Sequence, residues 1–376
     1  MAGIYLHIPY CRQACHYCNF HFSTTLKNKK DLLQALEKEI VLRKNFLEDT
    51  TLDTIYFGGG TPSLLEENEI QSILNTLKEN FEISSFAEVS IEVNPEDISA
   101  KKMALYAEMG INRISMGIQS FSAEKLQWMN RAHNELQAKD AIVTAIASGI
   151  QNISVDFIFN LPNQTLEEIK SDISTALELG VKHISIYGLT IEERTVLAKL
   201  QKNGTFVHED ERGADLFEGI MNFMKHNHWL HYEISNYAVD ESFISKHNSS
   251  YWNGIPYLGI GPSAHSYNGE FRWFNVANNA IYTKQISQGN VAGEWESLEE
   301  YQRYNEKILI GLRTYKGLSI SEIKNQFSLK YINHLNTVYN SIKNKDWVVK
   351  VGDHIILTNK GKMLADHVTT LFFYHA

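Results

Sequence analysis

Cysteine is scarce in this chain: there are 3, and all of them fall within residues 11–18. An odd count excludes a closed disulfide framework, and no distant thiol exists to pair with the group. Long apolar runs are also missing, and none approaches the ~20 residues that a membrane-spanning helix needs. The opening MAGIYLHIPY lacks the basic flank and extended apolar stretch of a secretory signal. Positive charge is in deficit, with 35 Lys and Arg against 44 Asp and Glu. Nucleic-acid binding leans on clustered basic side chains, so it is not expected here. There is no low-complexity segment. What remains, 43% hydrophobic and 21% charged residues, suits a cytoplasmic protein with a substantial core.

Short β-like runs recur at 4–8, 54–57, 88–93, 113–117, 153–157 and 182–187, mostly β-branched or aromatic and too short for helices. Between them, 29–46, 66–80, 99–109, 122–148 and 165–179 read as amphipathic helices. Gly110 and Gly180 stand where a helix C-terminus favours positive φ, and Ser122 is a weak N-cap. Repeated strand–helix units imply a parallel sheet, since parallel strands need crossover connections. Cys11, residues 58–61, Glu92, Gln119, Asp156 and Tyr187 all fall at or just past the ends of successive strands. A barrel gathers such ends around one mouth, whereas a doubly wound sheet spreads them along an edge. The expectation is an α/β fold, a partial (β/α)6 TIM-like barrel over residues 1–228. A connecting segment would follow over 229–296, with a loop rich in Asn, Ser, Gly and aromatics at 243–273. Helices at 298–312, 320–327 and 332–342, a hairpin around Gly352 and a last helix from Lys360 suggest a winged-helix-like α+β domain over 297–376. In an acidic protein this module reads as a packing or partner surface.

The cysteines are spaced C-x3-C-x2-C, directly after the first expected strand. Three such thiolates can each hold one corner iron of a cubane, leaving a fourth iron open to a chelating amine and carboxylate. Zinc competes, with His16 as fourth ligand, although structural zinc sites take their ligands as two separated pairs. Gly58, Gly59 and Gly60, followed by Thr61 and Pro62, bare the backbone to a close ligand; a tight strand-to-helix turn is the plainer reading. Glu92 at a strand end suits hydroxyl donors, though most such acids are simply solvated. Arg131 suits a carboxylate, though an exposed arginine is commoner. Asp156 lies between Val155 and Phe157, and a charge in an apolar strand needs a partner. His247 opens HNSSYW and is one of 15 histidines. Imidazole is a usual axial ligand of haem iron, while a hydrogen-bonded structural role is commoner.

These residues sit in segments that carry a resemblance. C-x3-C-x2-C with Tyr17 before the last cysteine resembles the signature of the radical S-adenosylmethionine superfamily. YLHIPYC at 5–11, YFGGGTPS at 56–63, IEVNPE at 91–96, ISMGIQSF at 114–121, DFIFNLPNQT at 156–165 and YLGIGPSAHSY at 257–267 resemble its coproporphyrinogen-dehydrogenase-like branch. The resemblance implies a [4Fe–4S] cluster on Cys11, Cys15 and Cys18, with S-adenosylmethionine on the open iron. It implies that Gly59, Gly60 and Thr61 bind the methionyl portion and ribose. It places Tyr5, Tyr17, Glu92, Gln119, Arg131 and Asp156 around the same pocket. H-N-x-x-Y, matched by His247, Asn248 and Tyr251, resembles a hallmark of the haem-chaperone group within the branch, with His265 a further candidate facing the mouth.

The dehydrogenases typically carry a fourth cysteine where this chain has Phe20, and a long segment where only ten residues precede Cys11. Both differences point toward the haem-chaperone group. That resemblance implies haem as cargo and acceptor haem proteins as partners, some of them at a membrane, with a homodimer as one open arrangement. A radical enzyme acting on a porphyrinogen, a radical methyltransferase and a purely structural iron–sulfur protein stand as rival readings.

Overall fold

The computed structural model describes residues 2–49 and 51–375. Its centre is β1 (Ala2–Ile8), α1 (Lys29–Leu42), β2 (Thr51–Gly59), α2 (Glu67–Asn80), β3 (Glu82–Val93), α3 (Ala100–Glu108) and β4 (Arg113–Gln119). Next come α4 (Ala123–Trp128), α5 (Glu135–Ala147), β5 (Asn152–Phe159), α6 (Leu166–Glu178) and β6 (His183–Gly188). The six strands are parallel neighbours in sequence order. Successive side chains on a strand point to opposite faces. Here one face is apolar: Ile4, Leu6, Ile55, Phe57, Ile91, Ile114, Met116, Ile153, Val155 and Ile184 are buried against the helices. Helix α2 answers with Ile70, Ile73, Leu74 and Leu77, one stripe at helical spacing. Each such side chain contributes about 1.5–3 kcal/mol by leaving water.

The opposite face is polar. Side chains from all six strands, among them Tyr5, Tyr56, Glu92, Arg113, Ser154, Asp156 and His183, line one internal chamber of about 210 Å³. A flat sheet does not enclose such a space; the six strands curl into a partial barrel. Its interior lacks the layers of Val, Ile and Leu that usually fill a closed one.

The barrel stays open because the sheet continues at both edges. After α7 (Val196–Lys202) and α8 (Asp210–His226), β7 (Leu230–Glu233) and β8 (Asn236–Ala238) extend the sheet, β8 antiparallel beside β6 and β7 antiparallel beside β8. Residues 243–273 are not the expected loop. They form α9 (Lys246–Trp252), β9 (Tyr257–Ile260), β10 (His265–Tyr267) and the start of β11 (Phe271–Asn275). Strand β9 pairs parallel with β1 and the later two run antiparallel beyond it. Then follow α10 (Asn279–Ser287) and β12 (Gly293–Ser297), which completes a 12-stranded sheet. Pieces this short have too few residues to show a period, so the sequence pattern did not reveal them.

The expected single helix over 122–148 is two. Asn130 is left-handed (φ 58°), and Asn134 starts α5 through a capping box with Gln137. Gly110 and Gly180 take the positive φ expected of helix ends, 92° and 89°. The C-terminal module comprises α11 (Glu300–Leu312), β13 (Leu318–Ser319), α12 (Ile320–Gln326), α13 (Leu329–Ile342), β14 (Val348–Val351), β15 (His354–Leu357), α14 (Asn359–Met363) and α15 (Ala365–Leu371). Helices followed by the β14–β15 wing give a winged-helix-like arrangement. Its core, including Tyr304, Ile308, Tyr331, Leu335 and Phe372, is separate from that of the barrel. Among the described residues no helix is long and apolar enough to cross a membrane.

Candidate functional site

The loop after β1 is closed at its neck by backbone bonds, Cys11 N to Ser23 O at 3.0 Å and Ser23 N to Pro9 O at 2.8 Å. Its far side is fastened to the end of α4. His16 and Asn130 hydrogen-bond across to the carbonyls of Trp128 and Ala14, each at 2.7 Å. His16 is thereby used in anchoring the loop. Cys11, Cys15 and Cys18 are all partly buried and line one cavity of about 430 Å³ at the barrel mouth. Among the described residues no three His, Cys, Asp or Glu side chains converge on a single ion. A cubane needs its three thiolates spaced around a void, and these three line one.

The thiols have a built surround. Thr61 Oγ1 donates to Cys11 Sγ at 3.6 Å and Arg131 Nη1 to Cys15 Sγ at 3.4 Å. Arg131 Nη2 also donates to Asn94 Oδ1 and Gly117 O, both at 2.7 Å, and Asn94 Nδ2 donates to Thr61 Oγ1 at 3.2 Å. The break between α4 and α5 delivers this arginine. Its Nε is buried without a partner. An unpaired buried donor beside three sulfurs fits a site meant for a negatively charged group. Burial pushes the Cys11 thiol up to about 11 and raises that of Cys18, so iron has to displace protons on binding.

The glycine strip forms the next wall. A Cβ on Gly59 would lie 2.7 Å from the His7 ring, and one on Gly60 2.7 Å from Tyr10 O, so neither position has room for a side chain. Their amides are already donated, Gly59 to Glu92 Oε2 at 3.1 Å and Gly60 to Ile8 O at 2.9 Å. Glu92 also accepts from Tyr56 OH at 2.8 Å; burial pushes its carboxyl up to about 7. Asp156 accepts from Ser115 Oγ at 3.3 Å and is raised to about 6, again by burial. Gln119 ends β4 in a left-handed conformation, φ 69°, beside a register shift that turns it into the cavity.

Cys11, Cys15, Cys18, Tyr17, Gly59, Gly60, Thr61, Glu92, Gln119, Arg131 and Asp156 therefore share one cavity. Tyr5 and His247 do not reach it and face the chamber beneath. His247 is 2% exposed, and both ring nitrogens are engaged, Nδ1 with Thr54 Oγ1 at 2.8 Å and Nε2 with Tyr251 OH at 2.9 Å. Burial lowers its pKa to about 3, which keeps it neutral. His265 lies on β10 with its ring edge-on to Phe274. Phe20, on the rim, is 68% exposed. Sequence reasoning passed over Asn94, Tyr56 and Arg113; only the NPE after the third strand marked the first.

A barrel with three thiols at its mouth is the architecture of a radical S-adenosylmethionine protein, and the model of that superfamily matches residues 5–176. The chain is 32% identical to heme chaperone HemW of Lactococcus lactis, covering 98% of this chain and 96% of that one. It is 34% identical to heme chaperone HemW of Bacillus subtilis, with 99% of both covered. The fold is similar to that of the Escherichia coli coproporphyrinogen III oxidase HemN, described as a radical SAM enzyme. There the TM-score is 0.86 at 24% identity, over 100% of this chain and 90% of that one. The chain belongs to the HemW family of the radical S-adenosylmethionine superfamily.

Proposed function

We propose that this protein is a cytoplasmic haem chaperone, binding haem and passing it to acceptor haem proteins while carrying a [4Fe–4S] cluster and S-adenosylmethionine. The observation that carries the reading is the near full-length likeness to proteins named as heme chaperones, over a chain whose three thiols share one cavity. Cys11, Cys15 and Cys18 would hold the cluster, which when bound supplies an open iron and a transferable electron. Thr61 and Arg131 bond two of the sulfurs, Asn94 ties these two residues together, and Arg131 brings positive charge to the site. Since the amides of Gly59 and Gly60 are spent, that strip would meet a ligand ammonium with carbonyl oxygens. Glu92 would accept from ribose hydroxyls, with Gln119, Tyr17 and Asp156 completing the wall.

Haem transfer is a difference of affinities between donor and acceptor rather than a bond-making step. His247 as its axial ligand, the role the HNxxY resemblance implies, is proposed for a state in which α9 has left the barrel floor. The chamber now around it is about 210 Å³, below the range of roughly 300–1,000 Å³ of ordinary ligand pockets and closed to a macrocycle. The test is an anaerobic haem titration of cluster-loaded protein followed in the Soret region. Saturable, stoichiometric binding is expected, and its absence overturns the reading. Unchanged spectra in His247→Ala would remove only the ligand assignment.

A further inference from the structure

The cofactor cavity and the chamber beneath it share a wall of Glu92, Ser115, Asp156 and Tyr187, and one residue of the chamber reaches that wall from helix α9's side. Tyr56, on β2, donates its hydroxyl to Glu92 Oε1 at 2.8 Å. Its ring lies on the imidazole of His247, with centroids 4.8 Å and planes 17° apart. Gly58 keeps the junction open: a Cβ there would stand 2.8 Å from the Tyr56 ring and 3.1 Å from Glu92 Oε1. Beyond the stack, Thr54 and Tyr251 hold the two nitrogens of His247. The helix that carries this histidine is tied to the strand that carries Glu92. Glu88 accepts from the amides of Lys246 and His247, at 3.0 and 2.9 Å, and from Ser245 Oγ at 3.3 Å. Strand β3 thus presents two carboxylates on one face, the upper at the cofactor cavity and the lower under α9.

We propose that Tyr56 is a positioning residue that couples these two places, so that a ligand bound at Glu92 holds helix α9 shut against the barrel floor. The proposal rests on the reading of Glu92 as a ribose acceptor. A carboxylate has about four acceptor sites, and Tyr56 and Gly59 occupy two, so ribose hydroxyls add to the set rather than displace it. A pinned carboxylate pins the phenol, and the phenol ring covers the imidazole. Moving α9 then means breaking the stack and leaving Thr54 unpaired in a buried place. Such coupling is reciprocal: whatever loosens α9 weakens the cofactor by the same factor.

The experiment uses full-length, cluster-reconstituted protein, with S-adenosylmethionine affinity from equilibrium dialysis and hydrogen exchange of residues 246–252. Saturating S-adenosylmethionine should slow exchange there by at least ~5-fold, the low end of usual coupling. Tyr56→Phe keeps the ring on His247 but removes its hydroxyl; affinity should fall several-fold and the ligand-dependent protection of α9 should vanish. His247→Gln, outside the cofactor cavity, should weaken S-adenosylmethionine in the parent but not in the Tyr56→Phe background. If S-adenosylmethionine binds yet exchange in α9 is indifferent to it, or the two substitutions act additively on affinity, the coupling is wrong while the functional reading stands. If the parent protein binds no S-adenosylmethionine, the reading of Glu92 and the coupling fall together.

Discussion

Cys11, Cys15 and Cys18 each supply one corner of the proposed cluster, and no spare thiol exists to replace a lost one. Alanine at any of the three should abolish the broad visible absorbance after anaerobic reconstitution, while far-ultraviolet dichroism stays native. Glu92 gives a second test at this scale. Its raised pKa means that the empty protein loses stability as pH climbs from the ordinary 4.5 through about 7, because the folded state holds the proton longer. An ionised carboxylate accepts better from hydroxyls, so S-adenosylmethionine affinity should rise across the same upper limb, from about pH 6 to 8. Dialysis at several pH values checks this, and Glu92→Gln should flatten the curve. The cysteines and the GGGTP turn were legible because their chemistry is local in sequence. The Glu92–Tyr56–His247 contact was not, since it joins Tyr56 to a residue 36 positions away by a hydrogen bond and to a still more distant one by a ring stack, neither of which any periodicity records.

Helix α9 shows how an element can be invisible in the sequence and central in the fold. It has 7 residues, too few for an amphipathic pattern, yet it seals the barrel floor and carries the whole HNxxY motif. Glu88 holds its first turn. Glu88→Ala leaves the buried His247 amide and the half-buried Lys246 amide without an acceptor, at a cost of about 1–3 kcal/mol. A drop in melting temperature of roughly 2–8 °C is expected, with faster exchange confined to 246–252 rather than spread over α1 or α2. The six strand–helix units were readable because each buries one apolar face and repeats. The α4–α5 break was not, because a left-handed Asn130 looks like any asparagine within a helical run.

Across the whole molecule, the C-terminal module backs the floor of the barrel. Arg313, which caps the C-terminus of α11, lies over the ring of Trp252 in α9, 5.5 Å from its centroid, and Arg272 of β11 pairs with Glu306 of α11 at 2.8 Å. Lys362 of α14 donates to His231 Nδ1 of β7 at 3.0 Å. Releasing α9 therefore involves the module as well as the barrel. Burial lowers the Lys362 ammonium to about 8, against an opposing pull from Glu233. The folded protein sheds that proton earlier than the unfolded chain does, so stability gains a contribution as pH rises from about 8 toward 10.5. His231, the neighbour that faces it, is neutral throughout that window, its pKa lowered to about 3. Denaturant titrations should show this rise in the parent and its loss in Lys362→Met. The sheet extension β9–β12 was the least legible part of the architecture, because its strands, 4, 3, 5 and 5 residues long, are too short to show a period.

In the function proposed above, a radical S-adenosylmethionine fold handles haem rather than making porphyrin. The most direct measurement offers cluster-loaded protein both haem and coproporphyrinogen III, anaerobically, with reductant and S-adenosylmethionine. Haem binding and porphyrin formation are then followed in the same sample. Stoichiometric haem binding with no porphyrin above the protein-free control is the predicted result. Porphyrin formed over many turnovers would contradict it.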